Sequence, residues 1–275
     1  MLKDVFNEAN RQLLDVEFSV IQTGGNGDAF LNPYFFRYLQ VLRKNFPKAK
    51  IVFYSNFYLY DENASKLIIG EGLIDEQYTR IDTLNPAWFK KSVGLSFQVI
   101  MQNIKDFMKL NDCIDFTIGY SSIPQYFKKC NHYLGLSPIY NPFTVDELSQ
   151  MGDEFDIIQD FIHSFPTRKP PKFYRINQSL WAERERSDLP ELPDMPCPKT
   201  GTFRRIIWIC PNGDIDVCGY DDEQCRFVAG NIMEKPIAEI WTSPEREAII
   251  HKLETRGHKS YPCRNPQCCK LWSDL

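Results

Sequence analysis

The placement of cysteine constrains this chain more than any other feature. Of nine cysteines, seven (Cys197, Cys210, Cys218, Cys225, Cys263, Cys268 and Cys269) crowd into the C-terminal part of the 275 residues. Cys113 and Cys130 stand apart in the first half. The N-terminus, Met1-Leu2-Lys3-Asp4-Val5, lacks the basic and then apolar run of a secretory signal. No segment approaches the roughly 18 apolar residues a membrane helix needs. The chain is therefore expected in the cytoplasm, where thiols stay reduced and a dense cysteine group holds a metal or does chemistry. Thiolates grouped this way suit zinc or an iron–sulfur cluster. The isolated Cys113 and Cys130 read as small buried hydrophobes.

Residues 1–165 alternate between strand-like and helix-like runs. The stretch 16–23 is apolar and β-branched and ends at Gly24-Gly25. Asn32-Pro33 then starts a helical pattern, since Asn caps well and Pro suits the first helical position. Residues 51–54, 74–81 and 114–118 read as strands. Asp61 is placed to cap a helix carrying Ala64, Leu67 and Ile68. Ser96 opens an amphipathic helix with Phe97, Ile100, Met101, Ile104, Phe107 and Met108 on one side, a stripe that reads as core. Thr144-x-x-Glu147 is a capping-box match. The run 155–162 is ambiguous between strand and helix. Repeated strand–helix units imply parallel strands with right-handed crossovers. On the residues alone, a βα barrel and an open doubly wound sheet both fit. In either, ligands sit at the C-terminal ends of the strands, which directs attention to Gly24 to Asp28, Ser55-Asn56, Asp82 and the segment 119–122.

Six prolines break residues 166–196, which reads as a linker or wrapping loop between a first domain, 1–165, and a cysteine-rich unit, 197–275. In that unit Asn212-Gly213 is a hairpin signal, and helices open at Pro236 and at Ser243-Pro244. A net charge of −4, from 32 Lys and Arg against 36 Asp and Glu, offers no basic surface for nucleic acid or anionic lipid. The four histidines show no metal or triad spacing, so hydrolysis has little support.

The spacing Cys197, fifteen residues, Gly213, four residues, Cys218 resembles the opening of the SPASM or twitch domain, the auxiliary iron–sulfur module of radical S-adenosylmethionine enzymes. Gly230-Asn231-Ile232, Ile240-Trp241-x-Ser243, Arg246 and Pro262-Cys263 continue the likeness across 197–269. It implies that Cys197, Cys218 and Cys263 ligate one [4Fe-4S] cluster, with Cys268 or Cys269 as the fourth ligand. The family closes with two cysteines separated by two residues, whereas here four or five residues intervene. Cys210 and Cys225 have no counterpart. In the first half, the segment 23–33 resembles the family's glycine-rich turn, in which an acidic residue, here Asp28, contacts the amino group of S-adenosylmethionine beside Gly24 and Gly25. Ser55-Asn56 resembles its Thr-Asn-Gly, with Phe57 in place of Gly. Arg80-Ile81-Asp82 resembles its Ser-Ile-Asp.

The implied fold is a partial (β/α) barrel of radical SAM type lacking its first strand, followed by the SPASM-like domain. The family's C-x-x-x-C-x-x-C motif is missing, since no cysteine precedes Cys113. Two readings of the chain stay open: a fragment, or a degenerate member that has lost radical chemistry. S-adenosylmethionine is expected as a cofactor only if the missing part is supplied, and a partner chain could supply or cover the missing strand. The implied activity is radical chemistry on a peptide, protein or other sizeable substrate. The alternative is a non-catalytic module, stapled by an iron–sulfur cluster or by zinc, that binds a peptide or partner.

Overall fold

The computed structural model describes residues 1–24, 28–120, 123, 143–175, 197, 200–218 and 227–256. Two compact units divide the chain. One is Glu17–Gln178; the other joins Met1–Val16, which carries helix α1 (Lys3–Gln12), to Ser179–Leu275.

In the first unit five strands form one sheet: β1 (Val20–Thr23), β2 (Lys50–Tyr54), β3 (Glu76–Ile81), β4 (Asp115–Tyr120) and β5 (Lys172–Arg175). They lie in sequence order and every adjacent pair is parallel. Parallel neighbours need crossovers, and crossovers are right-handed. Strands added always on the same side therefore send every crossover helix to one face, whereas a doubly wound sheet reverses order and covers both. The helices between these strands are α2 (Phe35–Asn45), α3 (Glu62–Gly70), α4 (Pro86–Val93), α5 (Phe97–Leu110), α6 (Val145–Gln150) and α7 (Phe155–His163). Leu39 of α2, Ile68 of α3, Ile104 of α5 and Ile158 of α7 share one core with Phe53 and Ile118 of the sheet.

Side-chain caps set several helix starts. Asp61 Oδ1 accepts from the Ala64 N–H at 2.8 Å, and Thr144 and Glu147 close a reciprocal capping box. Helix α4 has no counterpart in the expectations above. Its start, Asn85-Pro86, repeats the Asn32-Pro33 signal, and Asn85 Oδ1 accepts from both Ala87 and Trp88. The ambiguous run 155–162 is helical, with Ile158 and Ile162 turned four residues apart into the core. Strand β5 follows directly on Pro170-Pro171, where the missing proline N–H groups cost the ladder nothing.

In the second unit, β6 (Trp208–Ile209), β7 (Asp214–Asp216) and β8 (Val228–Asn231) form an antiparallel sheet beside α8 (Thr200–Phe203), α9 (Ile237–Trp241) and α10 (Pro244–Arg256). The run from Phe203 to Ile209 is β-rich in sequence, yet Phe203 ends a short helix. Its carbonyl accepts from Arg246 Nη2 at 2.6 Å, and its ring packs with Cys197, Val217 and Ile250. Helix α1 belongs to this unit's core: Val5 and Ala9 pack with Ile215, Ile232, Ile237 and Ile240. Gln12 pins it, donating to the Ile232 carbonyl at 3.0 Å and accepting from the Ile237 N–H. Among the described residues no helix is long and apolar enough to cross a membrane.

Candidate functional site

Because the five strands are parallel, their C-terminal ends share one edge of the sheet. At the end of β1, Gly24 has φ +79°, and a Cβ there would lie 2.5 Å from the Tyr54 carbonyl oxygen. Only glycine lets the chain leave β1 this close to β2. Gly25 lies outside the described residues. Asp28 Oδ1 accepts from the Phe30 N–H at 3.0 Å and caps the single turn Ala29–Leu31. Its Oδ2 is buried with no partner among the described residues, and burial raises the carboxyl pKa against the pull of that N–H.

At the end of β2, Ser55 Oγ accepts from the Phe57 N–H at 3.0 Å, and Asn56 Oδ1 from the Tyr58 N–H at 2.8 Å. These two turns hold Phe57 at φ +63°, a conformation usually reserved for glycine. From α5, Asn103 donates to the carbonyls of Phe57 and Tyr58 at 2.8 and 3.2 Å. The acceptor atoms of Ser55 and Asn56 are thus spent on the backbone. The Ser55 hydroxyl proton and the Asn56 amide protons are left without a partner among the described residues.

At the end of β3, Asp82 is buried. Its Oδ2 accepts from Arg80 Nη2 at 2.8 Å, while Oδ1 has no partner among the described residues. Burial raises its pKa, and Arg80 opposes the rise. The next turn is clamped by Glu154, which the sequence reading did not single out. Its carboxylate accepts from the Thr83 hydroxyl at 2.6 Å and the Leu84 N–H at 2.7 Å, and its own N–H donates to the Tyr120 hydroxyl. No local pattern marks Glu154, because its partners are about 70 residues away. Gly24, Asp28, Ser55, Asn56 and Asp82 thus sit at the ends of three adjacent strands. Two of the carboxylates carry an unmet buried acceptor, which suits a ligand that donates hydrogen bonds.

In the second unit Cys197 and Cys218 pack into one small apolar cluster with Phe203, Val217, Phe227 and Leu253. Neither forms a disulfide. The Cys197 N–H is held by the Leu253 carbonyl at 2.8 Å, and the Cys218 N–H by Asp216 Oδ1 at 2.9 Å. Cys210 is disulfide-bonded. Cys225, Cys263, Cys268 and Cys269 lie outside the described residues, among which no three His, Cys, Asp or Glu side chains converge. Two soft thiol donors in a shared apolar setting fit an iron–sulfur cluster, and thiolates also suit zinc.

The remaining motif residues build the frame around these thiols. A Cβ on Gly213, at φ +97°, would meet Asn231 Oδ1 at 3.0 Å, and one on Gly230 would meet Ile240 Cγ1 at 3.0 Å. Asn231 donates to Asp214 Oδ1 at 2.9 Å, tying β8 to the hairpin. Arg246, only 3% exposed, lies 3.6 Å from the Trp241 ring centroid and donates to the carbonyls of Trp241 and Phe203. Ser243 Oγ accepts from the Arg246 N–H.

Residues 197–270 match the family model for SPASM, the iron-sulfur cluster-binding domain. A comparison with curated protein sequences finds no match. Among solved structures, the chain resembles BtrN in complex with AdoMet and 2-DOIA at 14% identity and a TM-score of 0.50, covering 98% of this chain and 79% of that one. It resembles native anSMEcpe with bound AdoMet and a Kp18Cys peptide at 14% identity and a TM-score of 0.54, covering 98% and 80%. It resembles Streptococcus suis SuiB bound to S-adenosylmethionine at 15% identity and a TM-score of 0.55, covering 98% of this chain and 64% of that one. At these identities the likeness establishes the fold.

Proposed function

With a SPASM domain at its C-terminus and the fold of radical S-adenosylmethionine enzymes ahead of it, we propose that this chain handles a peptide or other sizeable substrate and carries an auxiliary iron–sulfur cluster. The observation that carries the reading is the pairing of Cys197 and Cys218, neither in a disulfide, within one apolar cluster inside the matched domain. In this reading they hold a [4Fe-4S] cluster together with Cys263 and either Cys268 or Cys269. With all four irons ligated by thiolates, a cluster bound there would supply one-electron transfer. The apolar packing from Phe203 and Phe227 limits water around the thiolates, and Asp216 holds the Cys218 backbone in place.

At the sheet edge, Asp28, Asp82, Ser55 and Asn56 are the residues that would hold S-adenosylmethionine beside the Gly24 turn. The unmet oxygens of Asp28 and Asp82 accept from an ammonium or from hydroxyls, and the free protons of Ser55 and Asn56 donate. S-adenosylmethionine chemistry further requires the C-x-x-x-C-x-x-C ligands that this sequence does not contain. Among the described residues β1 is an edge strand, so another strand can pair with it. The relatives crystallised with a peptide or with AdoMet support both assignments.

Electron paramagnetic resonance on anaerobically reconstituted, dithionite-reduced protein tests the reading. A cluster signal that disappears in Cys218→Ala is expected. An unchanged signal in that variant, or none in the intact chain, overturns it.

A further inference from the structure

A buried carboxylate on β7 is bonded to the backbone of one of the two thiol residues. That strand is the middle one of its sheet, and Asp216 is in register with Trp208 of β6 and Val228 of β8. Residues two apart on a strand share a face. Yet Ile215 packs with Val5 and Ala9, whereas Val217 packs with Cys197 and Phe203. The register with β8 breaks between Ile215 and Asp216, and such a bulge bends the strand and re-aims its side chains. Asp216 sits at this bend and is 5% exposed. Its Oδ1 accepts the Cys218 N–H at 2.9 Å.

A turn of this kind needs an acceptor oxygen, not a charge. Asn56 accepts the Tyr58 N–H and Asn231 the Met233 N–H at the same two-residue spacing, and Ser55 does so for Phe57. Burying a carboxylate costs more than burying an amide, so the charge at Asp216 calls for a further account. Reduction adds one electron to a cluster held by Cys218: [4Fe-4S]2+ becomes [4Fe-4S]+, with no bond made or broken. A negative charge close by opposes that gain. The hydrogen bond acts in the same direction, because the N–H given to Asp216 is not given to a cluster sulfur.

We propose that Asp216 sets the reduction potential of the auxiliary cluster, holding it low, so that the reduced cluster is a strong one-electron donor. This rests on the cluster reading above, and the test separates the two.

The midpoint potential is read by electron paramagnetic resonance during a redox titration of the anaerobically reconstituted full chain, with dithionite as the electron source. Asp216→Asn keeps the acceptor oxygen and makes the surroundings one charge more positive, whatever else the carboxylate touches. At a fixed potential its reduced-to-oxidised ratio is expected to be about tenfold higher than the parent's, or about 59 mV for one electron. The rise should persist in about 0.5 M potassium chloride, since buried charges are screened little. Glu245→Gln removes an exposed carboxylate from the first turn of α10 and should leave the ratio within about twofold. Asp216→Ser, which also keeps an oxygen and removes the charge, should shift the midpoint the same way. Parent-like midpoints in both Asp216 variants at the parent's iron content overturn the proposal, as does a rise that disappears in salt. Loss of the cluster from both variants makes Asp216 a structural support and also overturns it. A parent chain that takes up no cluster overturns the cluster reading, and this inference with it.

Discussion

Phe57 shows two residue-level effects in opposition. Its backbone sits at φ +63°, which costs a non-glycine residue about 1–2 kcal/mol. Its ring is fully buried, stacked 4.5 Å from Tyr60 and edge-on to Phe107, and losing such a ring costs about 3–5 kcal/mol. Packing wins, so Phe57→Gly should lower unfolding stability by roughly 2–3 kcal/mol, measured by chemical denaturation. Asp82 gives a pH-dependent case. Burial raises its pKa in the folded chain, so the folded state holds the proton more tightly than the unfolded one. Stability then falls as pH rises from the unfolded value through the folded one. Asp82→Asn does not ionise. Its advantage over the parent should be absent below the unfolded pKa and grow through that window. Melting temperatures across acid to neutral pH check the sign. At this scale the sequence was informative about residue type and silent about state. The Ser-Asn pair and the aspartates could be picked out from the pattern. That Phe57 would take a glycine's conformation, and that two carboxylates would keep an unmet oxygen, depended on packing from α5 and β3.

Among the elements, α1 carries the least local information about its role. Its amphipathic pattern foretells a helix, but only tertiary contact sets which core receives Val5 and Ala9. Gln12 bridges the Ile232 carbonyl and the Ile237 N–H, both in the C-terminal unit. Gln12→Ala should therefore destabilise that unit by about 1–3 kcal/mol, and leave the five-stranded sheet unchanged. Hydrogen exchange resolved by segment reads the difference: faster exchange over 228–241 and none over 50–54 or 115–120. Gly230→Ala should strike the same unit, because its Cβ would meet Ile240 at 3.0 Å. Caps made several helices legible in advance, at Asp61, Thr144 and Ser243-Pro244, since a cap and its partner lie within one turn of chain. Asn85-Pro86 carries the same local signal for α4. The β-rich run from Phe203 to Ile209 forms a strand only at Trp208–Ile209, and Arg246, over forty residues later, claims the Phe203 carbonyl.

For the molecule as a whole, the alternation of strands and helices predicts the parallel sheet, and the spacing of Cys197, Gly213 and Cys218 leads to the SPASM match. The motif's non-cysteine residues proved to be framework: glycines where a Cβ would collide, and an arginine stacked on tryptophan and tied to two carbonyls. Pattern alone could not show the Glu154 clamp, because it joins turns distant in sequence. The central claim is that the C-terminal thiols hold an iron–sulfur cluster, and the most direct measurement is metal and acid-labile sulfide per chain after anaerobic purification. About four iron and four sulfide per chain are expected, falling to near zero in Cys197→Ala and Cys218→Ala. About one zinc per chain with no sulfide would contradict the account.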